Sequence, residues 1–196
     1  MTIAHEKLPG LDRERVLAAV EPILAAHRVD GVELVFKTDR AGWVLSLTIE
    51  KPGERMPGAG ITVDLCGEIS RELSMALDVA DCIPQRYRLE VGSPGVERAL
   101  YSSSDYERFA GQPVKLKLKQ PRNSEYVIMG ALHGISPEKR VAIQTERGEL
   151  IELSLDEIDN GHLVFDWKTG GSRPGGARSP GARRANGRPP RSARRR

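Results

Sequence analysis

The sequence predicts two folded parts and an unstructured end: an α+β unit of order α-β-β-α-β over residues 1–100, a small all-β barrel over 101–168, and a disordered basic tail over 169–196. Three observations carry this. Apolar residues recur at helical spacing in two segments before residue 100. After residue 112 the pattern changes to short alternating strands separated by turn residues. From residue 169 onward there are six Gly, four Pro, nine Arg and no acid, a composition that cannot bury enough surface to order itself.

The first helix is expected over 12–27. Asp12 is placed to cap it, and Val16, Leu17, Val20, Ile23, Leu24 and His27 fall on one stripe. Pro22 lies inside that stripe and removes a backbone donor, which predicts a kink or a late start. Strands follow at 32–38, where Val32, Leu34 and Phe36 alternate with Glu33, Val35 and Lys37, and at 43–50, where Trp43, Leu45, Leu47 and Ile49 share one face. Thr38 to Gly42 suits a hairpin turn. The Pro- and Gly-rich stretch 51–60 reads as a loop. A second helix is expected from Asp64, with Leu65, Ile69, Leu73, Ala76, Leu77 and Ala80 facing inward, and a third strand at 86–91. Two helices on one face of a small sheet is a stable layer arrangement.

Beyond the Ser102-Ser103-Ser104 joint and a short helical turn at 105–109, strands are expected at 113–119, 125–133, 140–145, 149–154 and 161–167. Pro121-Arg122-Asn123, Pro137-Glu138-Lys139, Arg147-Gly148 and Asn160-Gly161 separate them. Five short strands in so little chain suggest closure into a barrel, which removes exposed edges.

Charge narrows the function. The net charge is +3, but the nine tail arginines hide 21 basic against 27 acidic residues in 1–168, a body of net charge −6. Such a body is a poor grip for naked nucleic acid. Within it, Lys115, Lys117 and Lys119 form a basic ladder on one face of a strand, extended by Arg122. The ladder suits phosphate contacts or, equally, protection of a sheet edge. Residues 146–166 hold seven acids, among them Glu152, Asp156 and Glu157, beside Arg147 alone. They form a solvated face or a docking surface for a basic partner. The tail arginines, Arg183, Arg184, Arg188, Arg191, Arg194, Arg195 and Arg196 foremost, are read as a non-specific tether to RNA, with a solubilising tail as the alternative.

Catalysis and cofactors find no support. The histidines, His5 in a frayed terminus and His27 at a helix end with His133 and His162, have neither triad-like nor metal-like spacing. Cys66 and Cys82 are too far apart for a zinc pair and read as core or half-buried thiols. No enzyme activity, metal or cofactor is expected. The absence of a long apolar run and of a leader pattern points to a cytoplasmic protein.

The most distinctive stretch runs Leu89-Glu90-Val91-Gly92-Ser93-Pro94-Gly95-Val96-Glu97-Arg98-Ala99-Leu100. Pro94 fixes φ, Gly95 is expected at positive φ, Ser93 is placed to cap the following turn, and Arg98 to fold back on Glu90 or Glu97. The stretch reads as a joint between domains rather than a catalytic serine, since no base accompanies it. Together with Gly60-Ile61-Thr62-Val63-Asp64-Leu65-Cys66, Ile69-Ser70, Leu77-Asp78, Phe109-Ala110-Gly111 and Leu155-Asp156-Glu157-Ile158, it resembles the bacterial RimP family of ribosome maturation factors over roughly residues 12–167. That resemblance implies a KH-like first domain and an SH3-like (Sm-like) barrel. It also implies binding of free small (30S) ribosomal subunits, docking of the second domain on small-subunit ribosomal protein twelve, and no cofactor. A monomer that also touches rRNA and promotes late subunit assembly follows as the expected function. Leu65 stands where the family often has a second Asp, and Ala99 where it often has Pro. A peptide-binding adaptor built on the barrel is the alternative; it needs an aromatic groove, for which only Tyr126, Phe165 and Trp167 are available.

Overall fold

The described residues build two sheets, each with its own apolar core. The computed structural model describes residues 3–122 and 124–165. Its first sheet has the order β1-β2-β3-β4, formed by β1 (His5–Lys7), β2 (Asp30–Asp39), β3 (Gly42–Glu50) and β4 (Tyr87–Gly92). The β2–β3 pair is antiparallel, whereas β1 runs parallel to β2 and β4 parallel to β3. Parallel neighbours need crossover connections, and these are the helices α1 (Arg13–Ala26) and α2 (Val63–Ala80).

Each helix starts where a side chain can replace the missing backbone acceptor. Asp12 accepts from the Arg15 amide at 3.2 Å, and Thr62, not Asp64, accepts from Leu65 at 3.2 Å. Asp64 lies in the first turn instead, where its charge suits the helix dipole. The helix α1 starts on time and runs through Pro22, so the late start is not found. Val16, Val20 and Leu24 of α1 and Ile69, Leu73 and Leu77 of α2 are buried as the periodicity predicts. They close over Leu34, Phe36, Leu45, Leu47 and Ile49 of the sheet.

The short strand β1 escaped the sequence because His-Glu-Lys has no apolar alternation. It is not frayed. It pairs with Glu33, Leu34 and Val35, and Ile3 before it joins the core.

The second sheet is six-stranded, in the order β5-β10-β6-β7-β8-β9. Its strands are β5 (Ala99–Leu100), β6 (Pro113–Arg122), β7 (Glu125–Ile135), β8 (Arg140–Thr145), β9 (Leu150–Ser154) and β10 (Ile158–Leu163). The helix α3 (Ser103–Arg108) precedes β6, and a single 3-10 turn (Leu155–Glu157) joins β9 to β10. Tyr106 and Phe109 at the α3 end pack with Val114, Leu116, Leu132, Val141, Ile143 and Leu153 into one core.

Among the described residues the expected closed barrel is not formed. Closure would pair β9 with the opposite end of the ladder, but both edges of β10 are already taken by β5 and β6, and β5 offers only two residues. The last strand is also displaced, to Ile158–Leu163 rather than 161–167; Trp167 lies outside the described residues. Asn160-Gly161 is no turn. Gly161 sits within β10 because a Cβ there would lie 2.7 Å from the Tyr106 hydroxyl oxygen.

A similar close approach fixes Gly130 in β7, where an added Cβ would lie 2.3 Å from the carbonyl oxygen of Gln144 on β8. Gly130→Ala must therefore push two paired strands apart. It is expected to destabilise the protein by about 1–3 kcal/mol, measured by urea unfolding; an unchanged midpoint would show that the strands separate freely there.

Candidate functional site

The chain between the two sheets holds a buried charge network. Arg98 is only 2% exposed. Its Nε and Nη2 donate to the two carboxylate oxygens of Glu50, each at 2.8 Å, and Nη2 also donates to Asp105 at 2.8 Å. Nη1 donates to the Ala99 carbonyl at 2.7 Å. Arg108 adds a second cation to both Glu50 and Asp105. The other oxygen of Asp105 accepts the amides of Tyr101 and Ser102 at 3.0 and 2.9 Å, completing a capping box with Ser102 at the start of α3. Both guanidinium groups stand over the Phe109 ring, at 5.1 and 4.6 Å. Arg98 therefore does not fold back on Glu90 or Glu97. Glu90 instead meets Arg88 on the exposed side of β4.

Burial works to raise the Asp105 carboxyl, but the Arg98 charge and the two amides overcome it and hold it below the ordinary value. The Asp30 carboxyl, opposite Glu50 in the β2–β3 register, is raised by burial and by Glu50. Further ties run beside this network. Tyr101 stacks on His5 of β1 at 4.3 Å, and burial, with the Glu33 carboxylate of β2 beside it, pushes its hydroxyl up to about 12. Arg55, in the loop after β3, donates to the Ala110 carbonyl at 3.0 Å.

The Ser-Pro-Gly stretch packs against the same loop. A Cβ on Gly58 would lie 3.1 Å from the Ser93 hydroxyl oxygen and 3.2 Å from the Pro94 carbonyl. Pro94 is buried, whereas Ser93 and Gly95 are exposed. Gly95 does not take positive φ, and no capping bond from Ser93 is formed. The Pro94 ring and the Arg98 network, not a Ser93 cap, define the joint.

The two charged sets of the second sheet meet more closely than their separation in sequence suggests. Lys115, Lys117 and Lys119 are exposed on the outer face of β6. Lys117 pairs with Asp159 at 2.8 Å. Arg122 donates to the Glu152 carbonyl of β9 at 3.2 Å. The acids are partly engaged as well. Glu152 pairs with Arg140 at 3.2 Å, and Glu157 accepts the Ser154 amide at 2.7 Å, a bond that holds its carboxyl below the ordinary range. Asp156 is exposed without an ion pair among the described residues. Lys119, Arg122, Asp156 and Glu157 line one cleft of about 480 Å³ over Leu118 and Leu153, between the far half of β6 and the open edge of β9.

Both thiols are pushed up by burial, Cys82 within the first core and Cys66 against it. The tail arginines Arg183, Arg184, Arg188, Arg191, Arg194, Arg195 and Arg196 lie outside the described residues. Among the described residues no helix is long and apolar enough to cross a membrane.

Sequence reasoning missed Glu50, Asp105 and Arg108. The Ser102-x-x-Asp105 spacing was the available signal for Asp105, and nothing local marked Glu50 as the partner of Arg98.

Arg98→Met removes the central cation and leaves Glu50 and Asp105 buried with too little compensation. Such a change is expected to cost about 3–5 kcal/mol, read by urea unfolding; a loss under about 1 kcal/mol would mean that water already reaches the pair. The pH dependence has a definite sign. The Asp105 carboxyl is depressed in the fold, so its contribution is full above about pH 4 and is lost as pH falls below that. Asp30, raised, works in the opposite sense. The telling measurement is therefore the difference between wild type and Asp105→Asn from pH 6 to pH 3: the gap in stability should narrow on acidification, and a constant gap would refute the assignment.

Residues 19–97 match the family model of the RimP N-terminal domain. The match runs from the middle of α1 to one residue short of Arg98, and it contains Glu50, α2 and Ser93-Pro94-Gly95. It agrees with the motifs quoted up to Glu97 and gives the chain the N-terminal domain of the RimP family.

Proposed function

We propose that this protein is a maturation factor that binds free small ribosomal subunits and promotes their late assembly, acting by binding and not as an enzyme. The observation that carries the reading is the RimP N-terminal domain at residues 19–97, in a family of ribosome maturation factors. A monomer in the cytoplasm is the form proposed to act, with small-subunit ribosomal protein twelve and rRNA as its contacts.

The joint supports this reading. A factor that must recognise an unfinished particle gains from presenting two surfaces in one fixed geometry, because less ordering is left for the moment of binding. Glu50, Arg98 and Asp105 hold the first sheet to α3 in that way. The basic protein is proposed to dock at Asp156 in the cleft beside β9, where an opposite charge speeds encounter. Of the three acids marked in the sequence, Asp156 is the one whose charge is not used within the fold. The tail is proposed to add a non-specific tether to exposed rRNA.

The protein should pellet with purified free small subunits and not with assembled ribosomes; equal pelleting with both would sink the reading. Asp156→Lys should weaken binding to isolated small-subunit protein twelve by about 1 kcal/mol, chiefly through a slower on-rate and more strongly at low salt. Unchanged affinity would assign Asp156 to solvent.

A further inference from the structure

Edge protection does not account for Lys115 and Lys117 in the lysine ladder of β6. Lysines often guard exposed strand edges, but β10 and β7 occupy the two edges of β6 alongside Lys115 and Lys117. Val114, Leu116 and Leu118 point into the core, so Lys115, Lys117 and Lys119 all project from the opposite face. Alternate residues of a strand stand about 6.6 Å apart, which is comparable to the separation of neighbouring phosphates on an extended nucleic-acid strand. Across the ladder, Lys115 stands opposite Met129 and His162, and Lys117 opposite Val127 and Asn160. Met129 and Val127 are 48% and 39% exposed, leaving an apolar strip beside the cations. Asp159, the carboxylate at the β10 bulge, is tied to Lys117 and drawn below the ordinary range by it and by Lys119. Lys115 and Lys119 have no ion pair among the described residues.

We propose that the outer face of the second sheet binds the backbone of single-stranded RNA, with Lys115, Lys117 and Lys119 on successive phosphates and the Val127–Met129 strip against the unpaired nucleosides. The face is open and Asp159 is already tied to Lys117, while the strip itself shares a cleft with Arg122 and Arg147 as well as Glu125, Glu146 and Glu149. Lys119 also lines the cleft that holds Asp156 and Glu157, so the basic face runs up to that cleft. The inference deepens the ribosomal reading, which supplies RNA as the partner, but its surface chemistry is tested without ribosomes.

The test is a salt titration of binding to a fluorescent oligouridylate, which has no structure of its own, using the full chain. The basic segment 169–196 is common to every variant, so differences report the sheet. Each phosphate contact on a single strand contributes about −0.7 to the slope of log affinity against log salt. Replacing all three lysines with Gln should flatten the slope by about 2 units, and replacing them with Arg should preserve it. Asp159→Asn should tighten binding, since it frees Lys117 and removes a like charge from the phosphates; a merely structural role predicts no such gain. Parallel lines for wild type and the Gln variant, or binding unchanged by Asp159→Asn, overturn the proposal. Loss of subunit pelleting in the Gln variant with unchanged oligouridylate affinity also overturns it, and assigns the face to a protein. Failure of the wild type to pellet with small subunits, with the slopes as expected, removes the ribosomal reading and leaves this face standing.

Discussion

Arg98 is the residue on which the arrangement of the two sheets depends. A guanidinium that is almost wholly buried needs every donor answered, because an uncompensated charge in the interior is costly. Here the answers come from three separate pieces of chain: Glu50 at the end of β3, Asp105 in α3, and the Ala99 carbonyl in β5. None of these can move without breaking the set. The planar fork also explains why the residue is Arg. Its two-point contact with Glu50 fixes direction as well as distance, which a lysine ammonium does not do. Buried ion pairs add little net stability against an apolar alternative, so the network is better understood as specifying one geometry. Arg108 and the Phe109 ring complete its shell, and Tyr101, reaching His5 and Glu33, adds a second attachment a short way along the chain.

The sequence was most informative where one periodicity ran uninterrupted. The buried stripes of both helices and the inward faces of β2, β3 and β6 were legible from apolar spacing alone. The failures have distinct physical causes. The strand β1 is held by pairing and by Ile3, neither of which leaves an alternating pattern in three polar residues. Asn160-Gly161 has the composition of a turn, but its glycine is there to make room for a tyrosine. Barrel closure was inferred from strand count, whereas it is decided by which edges remain free, a property of topology. Arg98 was assigned to nearby acids because local pairs are what a sequence displays. Its partner Glu50 is forty-eight residues away.

The unclosed sheet and the distribution of charge belong to one explanation. Because β9 is not paired across the gap, the far half of β6 and the edge of β9 face each other across a cleft. Arg122 reaches over that gap to the Glu152 carbonyl and so satisfies part of the open edge, which is one way a folded chain discourages unwanted strand pairing. That engagement removes Arg122 from the basic ladder and brings it among the acids. Arg140 and Lys117 likewise meet Glu152 and Asp159 from neighbouring strands. Part of an acidic run that looked nearly unopposed in the sequence is therefore answered within the fold: Glu152, Glu157 and Asp159 are engaged, whereas Lys115, Lys119, Glu146, Glu149 and Asp156 have no ion pair among the described residues. Cross-strand pairing leaves Lys115 and Lys117 on the outer face of β6, while Lys119 and Asp156 share the cleft beside β9. A small sheet so divided can meet an anionic and a cationic component of one particle together, provided that its position relative to the first sheet does not drift, and that condition is the one imposed by Arg98.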